Sequence, residues 1–285
     1  VKHRFLAIDE GNRALLHIDE NDPSRDWVVP IDKIAPRDMQ LIGNDRLLIG
    51  HDGGYSEIEI SNGEIVKDYS LSAGITSARR QPNGGTLLAG VGPSGANVIE
   101  LDENDATVRT AVFPISYIRL MRQTMKGTYL MACDRIIAEG NELGGIIWQA
   151  KIDMFNHAWK AVKLPNGNVI ASAGYGAFIA EIDEAGTVVR RLGDRDAMPP
   201  ETLPCFYSTF QLLANGDIVF ANWQGHGPGR GKSGVQLIEL DKAGNIVWQW
   251  SDSSVISSLQ GILILDGLDT QVLHDEREGV MKPQR

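Results

Sequence analysis

The run Gln81-Pro82-Asn83-Gly84-Gly85-Thr86-Leu87-Leu88 recurs along this chain, and the recurrence limits its fold more than any other feature. It returns as Leu164-Pro165-Asn166-Gly167-Asn168-Val169-Ile170 and as Leu213-Ala214-Asn215-Gly216-Asp217-Ile218-Val219-Phe220. A degenerate copy reads Met125-Lys126-Gly127-Thr128-Tyr129-Leu130. Asn-Gly between alternating apolar runs signals a hairpin, and the expectation is a tight type I′ turn with positive φ at both central residues. A second element follows the three full copies: Val98-Ile99-Glu100-Leu101-Asp102, Ile179-Ala180-Glu181-Ile182-Asp183 and Leu237-Ile238-Glu239-Leu240-Asp241. Turns such as Glu184-Ala185-Gly186 and closing β-rich runs come next. Four short strands in about 40 residues are the unit of a propeller blade.

Outer strands are expected at 27–30, 64–68, 107–113, 146–151, 187–191 and 245–250, which makes six blades. The chain opens on Arg4-Phe5-Leu6-Ala7-Ile8-Asp9, which reads as the second strand of a blade. Residues 256–265 then supply the missing innermost strand, so the two chain ends share one blade and no free sheet edge is left at the seam. The predicted fold is therefore an all-β, six-bladed β-propeller with four-stranded blades, closed by a C-terminal strand that completes the N-terminal blade. Residues 1–285 form one domain in this reading, with 269–285 a charged, peripheral tail. Helices of ten or more residues with a 3.6-residue period, which a TIM barrel or doubly wound sheet would need, are absent from the pattern.

The 285 residues carry a formal net charge of −10, with acidic residues scattered among the presumed turns. That argues against general affinity for nucleic acid, which needs basic patches. No apolar run approaches the ~18 residues of a transmembrane segment. Cys133 and Cys205 fit neither a metal-ligand spacing nor a disulfide framework and read as two buried thiols. The chain begins Val1-Lys2-His3, read as the trace of a removed leader, so the expected location is exported, periplasmic or cell-surface.

Three stretches carry a resemblance: Lys163-Leu164-Pro165-Asn166-Gly167-Asn168, Glu239-Leu240-Asp241-Lys242-Ala243-Gly244-Asn245-Ile246-Val247-Trp248 and Gly144-Gly145-Ile146-Ile147-Trp148. With them the chain resembles the PQQ-like, NHL-like and arylsulfotransferase-like bacterial propellers, and above all uncharacterised exported ones. The resemblance spans nearly the whole chain and implies a fold. The histidine and arginine motif of the arylsulfotransferases is not matched, and the eight-bladed cofactor cage of PQQ dehydrogenases is absent. It therefore implies no activity and no cofactor.

Function in propellers gathers where the loops between second and third strands meet the inter-blade loops around the channel. The repeat register assigns His51, Tyr117, Arg119, His157, Trp159, Tyr207, Trp223, His226, Arg230 and Gln260 to that face as candidate ligand-binding residues. His51, His157 and His226 come from different blades and, beside arginines, suit proton transfer, anion binding or metal ligation. As loop histidines they equally suit hydrogen bonds to backbone, and no metal site is assigned. The loop Gly225-His226-Gly227-Pro228-Gly229-Arg230-Gly231-Lys232-Ser233-Gly234 ends like a phosphate loop, but His226 stands where the first glycine belongs. It reads instead as a mobile, glycine-rich loop, either a flexible surface excursion or a flap that folds over the mouth and brings Arg230 or Lys232 to an anionic ligand. Residues 193–204 form a second insertion, between blades five and six.

Trp148, Trp248 and Trp250 sit in outer strands and read as packing between blades, whereas Asp102, Asp183 and Asp241 read as turn formers. The leading functional expectation is a non-enzymatic module that binds a carbohydrate, small anion or protein at the channel face. The alternative is a propeller enzyme (hydrolase, lyase or transferase on a sugar, lactone or sulfuryl ester) using the His and Arg of the mouth. A third reading is an interaction scaffold with a plugged channel.

Overall fold

The computed structural model describes residues 1–33 and 35–284. Six antiparallel blades ring a central channel. Blade 1 consists of Arg4–Asp9, Ala14–Asp19 and Trp27–Pro30, with Leu259–Ile264 as its innermost strand. The inner strands of blades 2 to 6 are Asp38–Gly43, Ile75–Arg80, Met121–Gln123, Ala161–Lys163 and Phe206–Leu212. The outer strands of blades 2 to 6 are Ile65–Ser72, Thr107–Phe113, Ile146–Lys151, Val188–Leu192 and Ile246–Trp250. Among the described residues the only helical pieces are the single 3₁₀ turns Pro23–Arg25 and Pro200–Thr202. No helix among them is long and apolar enough to cross a membrane.

The hairpins depart from the expected type I′ geometry. In the four copies positive φ belongs to Gly84, Gly127, Gly167 and Gly216, whereas the residue before each has none. Gly84 N–H donates to Gln81 O at 3.0 Å and Gln81 N–H to Gly85 O at 2.8 Å. The turn is therefore a type I turn followed by a left-handed glycine, the usual three-residue hairpin loop. Asn83, Asn166 and Asn215 earn their place by side chain: each Oδ1 accepts the N–H two residues on, at 3.0 Å. Asp102, Asp183 and Asp241 accept N–H groups of their own turns in the same way.

Alternation along the strands explains why a blade is apolar on both faces. Phe5 and Ala7 join the cluster between blades 6 and 1, whereas Leu6 and Ile8 join the cluster between blades 1 and 2. Tyr129, Met131 and Cys133 face blade 3, and Leu130 and Ala132 face blade 5. Each blade is thus sandwiched by its neighbours, with side chains alternating between two cores. Outer-strand tryptophans add a bond across three junctions. The indole N–H of Trp27 donates to Ile60 O at 3.0 Å, that of Trp148 to Glu184 O at 2.8 Å and that of Trp248 to Glu20 Oε2 at 2.9 Å.

The tail expected to be peripheral is central. His274–Glu278 and Val280–Pro283 form a hairpin, and His274, Asp275 and Glu276 are at most 2% exposed; residue 285 lies outside the described residues. A bridge from Ile42 to Leu273 and the pairing of Leu212 with Val280 bring the hairpin to the far ends of the inner strands. There it closes the channel. Its carboxylates meet cations that the inner wall presents inward: Asp275 accepts from Arg79 Nη2 at 2.5 Å, and Glu276 from Arg122 Nε at 2.7 Å and Lys160 Nζ at 2.5 Å. Asp38 completes the layer with two hydrogen bonds from Arg122, at 3.0 and 2.8 Å. Three cations thus face three carboxylates out of water, which is why a charged tail packs inside. Burial pushes the Lys160 ammonium down to about 8 despite the pull of Glu276.

Candidate functional site

The inner strands begin at the opposite end of the channel, and the residues leading into them build its mouth. Arg37 N–H donates to Gly50 O and Arg119 N–H to Ala132 O, both at 2.9 Å. Gly50 and Ala132 are the next-to-last residues of the second strands Arg46–His51 and Tyr129–Cys133. The two arginines therefore hold the same position in blades 2 and 4. Trp159, whose N–H donates to Ser172 O at 3.2 Å, leads into blade 5 in a similar way.

Leu120, Trp159, Phe206 and Trp223 form a buried apolar patch beneath these cations. The rings meet edge to face, 5.5 Å apart for Trp159 and Phe206 and 5.4 Å for Phe206 and Trp223, with Tyr175 4.7 Å from Phe206. The guanidinium of Arg119 lies 5.3 Å from the Trp159 ring and 4.5 Å from the Tyr117 ring, and that of Arg37 lies 5.9 Å from Trp159. Indole faces attract cations, so Trp159 holds both arginines toward the cavity.

A cavity of about 170 Å3 is lined by Arg37, Arg119, His157, Trp159, Tyr175, Phe206, Trp223, His226 and Gln260. Neither arginine forms an ion pair with a described residue, although Glu10 and Asp52 are near enough to act on Arg37 through charge. Burial, followed by repulsion from Arg119, pushes the Arg37 guanidinium down to about 10. It remains charged at neutral pH. Among the lining residues, Arg37 Nε, Arg119 Nε, Trp159 Nε1 and Gln260 Oε1 are closed off from solvent without a hydrogen-bond partner.

The sequence candidates divide cleanly. Arg119, His157, Trp159, Trp223, His226 and Gln260 share the cavity wall. Tyr117 stands behind it, its hydroxyl 2.9 Å from His157 Nδ1. His157 holds a left-handed backbone, with φ of 58°, a conformation costing roughly 1–2 kcal/mol outside glycine. Asp134 secures it by accepting the His157 N–H at 2.8 Å. His226 Nδ1 lies 2.9 Å from Glu10 Oε1, and Glu10 Oε2 also accepts the Trp223 indole N–H at 3.2 Å.

Three candidates lie elsewhere. His51 is 2% exposed inside blade 2, with Nε2 3.2 Å from Ser56 Oγ and Nδ1 3.1 Å from Asp52 O. As the last residue of a second strand it turns into the blade rather than the channel. Tyr207 is fully buried between blades 5 and 6, where its hydroxyl donates to Gly193 O at 2.8 Å. Arg230 is exposed on its loop, outside the cavity wall. That loop is tethered: Ser257 Oγ accepts Arg230 N–H at 3.0 Å and donates to Gly227 O at 2.7 Å. Among the described residues no three His, Cys, Asp or Glu side chains are grouped to hold a metal.

Arg37 and Glu10 were missed. The signal for Arg37 existed, since it occupies the position of Arg119. Blade 2 turns through Gly43-Asn44-Asp45 and lacks the Asn-Gly copy, however, so its entry to the inner strand was not aligned with that of blade 4.

Fold and mouth together define a six-bladed β-propeller with a basic, aromatic cup closed at its far end. No protein-family model and no curated protein sequence matches the chain. Among solved structures it resembles a protein of unknown function from Bacteroides caccae, with a TM-score of 0.77 and 21% identity over 93% of this chain and 99% of that one. It also resembles a catalytically inactive virginiamycin B lyase from Staphylococcus aureus with quinupristin, with a TM-score of 0.58 and 14% identity over 87% and 84% of the two chains. The WD40 propeller domain of Doa1 matches with a TM-score of 0.58 and 13% identity over 89% and 80%. At such identities the likeness is one of fold.

Proposed function

We propose that this chain is a non-enzymatic ligand-binding propeller whose channel mouth holds one small molecule. The observation that carries the reading is the pair of arginines without an ion-pair partner among the described residues, Arg37 and Arg119, set over the Trp159 ring at a single cavity. A partly buried cation without a paired anion is costly, so a ligand that supplies acceptors at the cavity stabilises both. The cavity of about 170 Å3 is confined by nine side chains. That suits a molecule of single-ring size better than a peptide or glycan chain. A closed far end favours a binding cup over a conduit.

A second reading, a propeller enzyme, is favoured by one pair. His226 is an exposed imidazole oriented through Nδ1 by Glu10, an arrangement that suits a general base. A thermal-shift screen over sugars, small acids and inorganic anions separates the two, with each hit re-isolated and weighed by mass spectrometry. The binding reading expects the hit returned intact and its shift lost in Trp159→Phe and Arg119→Gln. Conversion of the hit that disappears in His226→Ala supports the enzyme. A shift unchanged in both mouth variants overturns the assignment of the mouth.

A further inference from the structure

The mouth also specifies the chemistry of what enters it, and this step rests on the reading of the mouth as a small-molecule site. We infer that the ligand is a small monocarboxylate carried on a single ring. The carboxylate belongs between Arg37 and Arg119. Arginines that are partly buried without an ion-pair partner are uncommon, and here two sit in equivalent positions on different blades, both lining one cavity. Guanidinium groups match a planar carboxylate through paired N–H donors.

Surrounding charge favours one negative charge over two. Glu10 and Asp52 stabilise the Arg37 cation from a distance, and Asp134 sits 3.7 Å from His157 Nδ1. A dianionic phosphate would face these carboxylates with only two cations to balance it. Tyr175, Phe206 and Trp223 supply the apolar wall for the ring that carries the carboxylate.

Isothermal titration tests this with matched pairs: glucuronate against glucose, 4-hydroxybenzoate against 4-hydroxybenzyl alcohol, and inorganic sulfate and phosphate alone. The expected result is that at least one acid binds ten or more times tighter than its neutral partner and tighter than either inorganic anion. That advantage should vanish in Arg37→Gln and in Arg119→Gln and persist in Arg230→Gln, which lies outside the cavity. Should either mouth variant fail to fold, salt gives a second measure on the wild type, since the acid should weaken with added NaCl and the neutral partner should not. Equal binding of acid and alcohol, or preference for phosphate, overturns the carboxylate assignment. It leaves the mouth reading intact if Trp159→Phe weakens that binding. Absence of saturable binding by every probe overturns the inferred class, whereas the mouth reading falls only if hits bind insensitively to Trp159→Phe.

Discussion

Arg122 of blade 4 donates its Nε–H to Glu276 at 2.7 Å, and neither side chain is more than 2% exposed, although 154 positions separate them in sequence. Lys160 of blade 5 meets the other oxygen of the same carboxylate. One residue of the C-terminal hairpin therefore neutralises cations from two blades. Removing one partner of a buried ion pair costs about 3–5 kcal/mol, because the survivor stays buried without compensation. Glu276→Ala is expected to lower the melting temperature on the order of 10 °C. Thermal unfolding followed by circular dichroism checks this, and a shift of a degree or two would mean the hairpin does not hold the blades.

The same carboxylate gives the fold an acid limit. Burial alone would raise the Glu276 pKa, but Lys160, Arg122 and Arg79 outweigh it and hold the carboxyl at about 2 rather than 4.5. A folded-state pKa depressed below the unfolded one contributes stability that is present above 4.5 and lost as pH falls toward 2. At 1.36 kcal/mol per unit the contribution is roughly 3 kcal/mol. Urea denaturation between pH 6 and 3 should show this loss in the wild type and a shallower slope in Glu276→Gln. Parallel slopes would refute the assignment.

His3 acts with the opposite sign at the seam where the ring closes. Its Nε2 lies 2.8 Å from Glu239 of blade 6 and its Nδ1 2.6 Å from Asp266, just past the closing strand. Burial alone would lower its pKa, yet these two carboxylates outweigh burial and raise it above 6.5. A raised folded-state pKa contributes stability that is complete below 6.5 and lost as pH rises through the raised value. Wild-type stability should therefore decline on the alkaline side of 6.5, and His3→Gln should be weaker at pH 6 and flatter above it. Chemical denaturation at pH 6, 7.5 and 9 measures both.

Blade number, strand order and ring closure were legible because they are local. The hairpins of blades 3 to 6 announce themselves through Asn-Gly or its degenerate copy, and residues 256–265 had one strand position left to fill. The inward turn of the tail was not legible. Asp275 and Glu276 look solvated when read alone, and only folding brings Arg79, Arg122 and Lys160 to one layer of the channel. The mouth was legible where a blade carried the repeat, as for Arg119 and Trp159. It was lost at Arg37, where the turn chemistry changes, and at Glu10, which reaches the mouth across the seam to His226 and Trp223.

His51 provides the control for the mouth. Sequence register grouped it with His157 and His226, but its ring is enclosed by blade 2 and committed to Ser56 and Asp52. Replacing it with alanine removes two hydrogen bonds and opens a small void. A cost of about 1–3 kcal/mol is expected from the groups left unsatisfied. Because His51 does not line the cavity, affinity for any mouth ligand should stay within twofold of wild type once the protein is folded. His226→Ala should do the reverse: the exposed imidazole contributes little to stability, but its loss frees Glu10 beside the cavity and should weaken an anionic ligand severalfold. Paired denaturation and titration on the two variants give this crossed pattern if the geometry is right. A His51 variant that loses binding while retaining its stability would return that residue to the site.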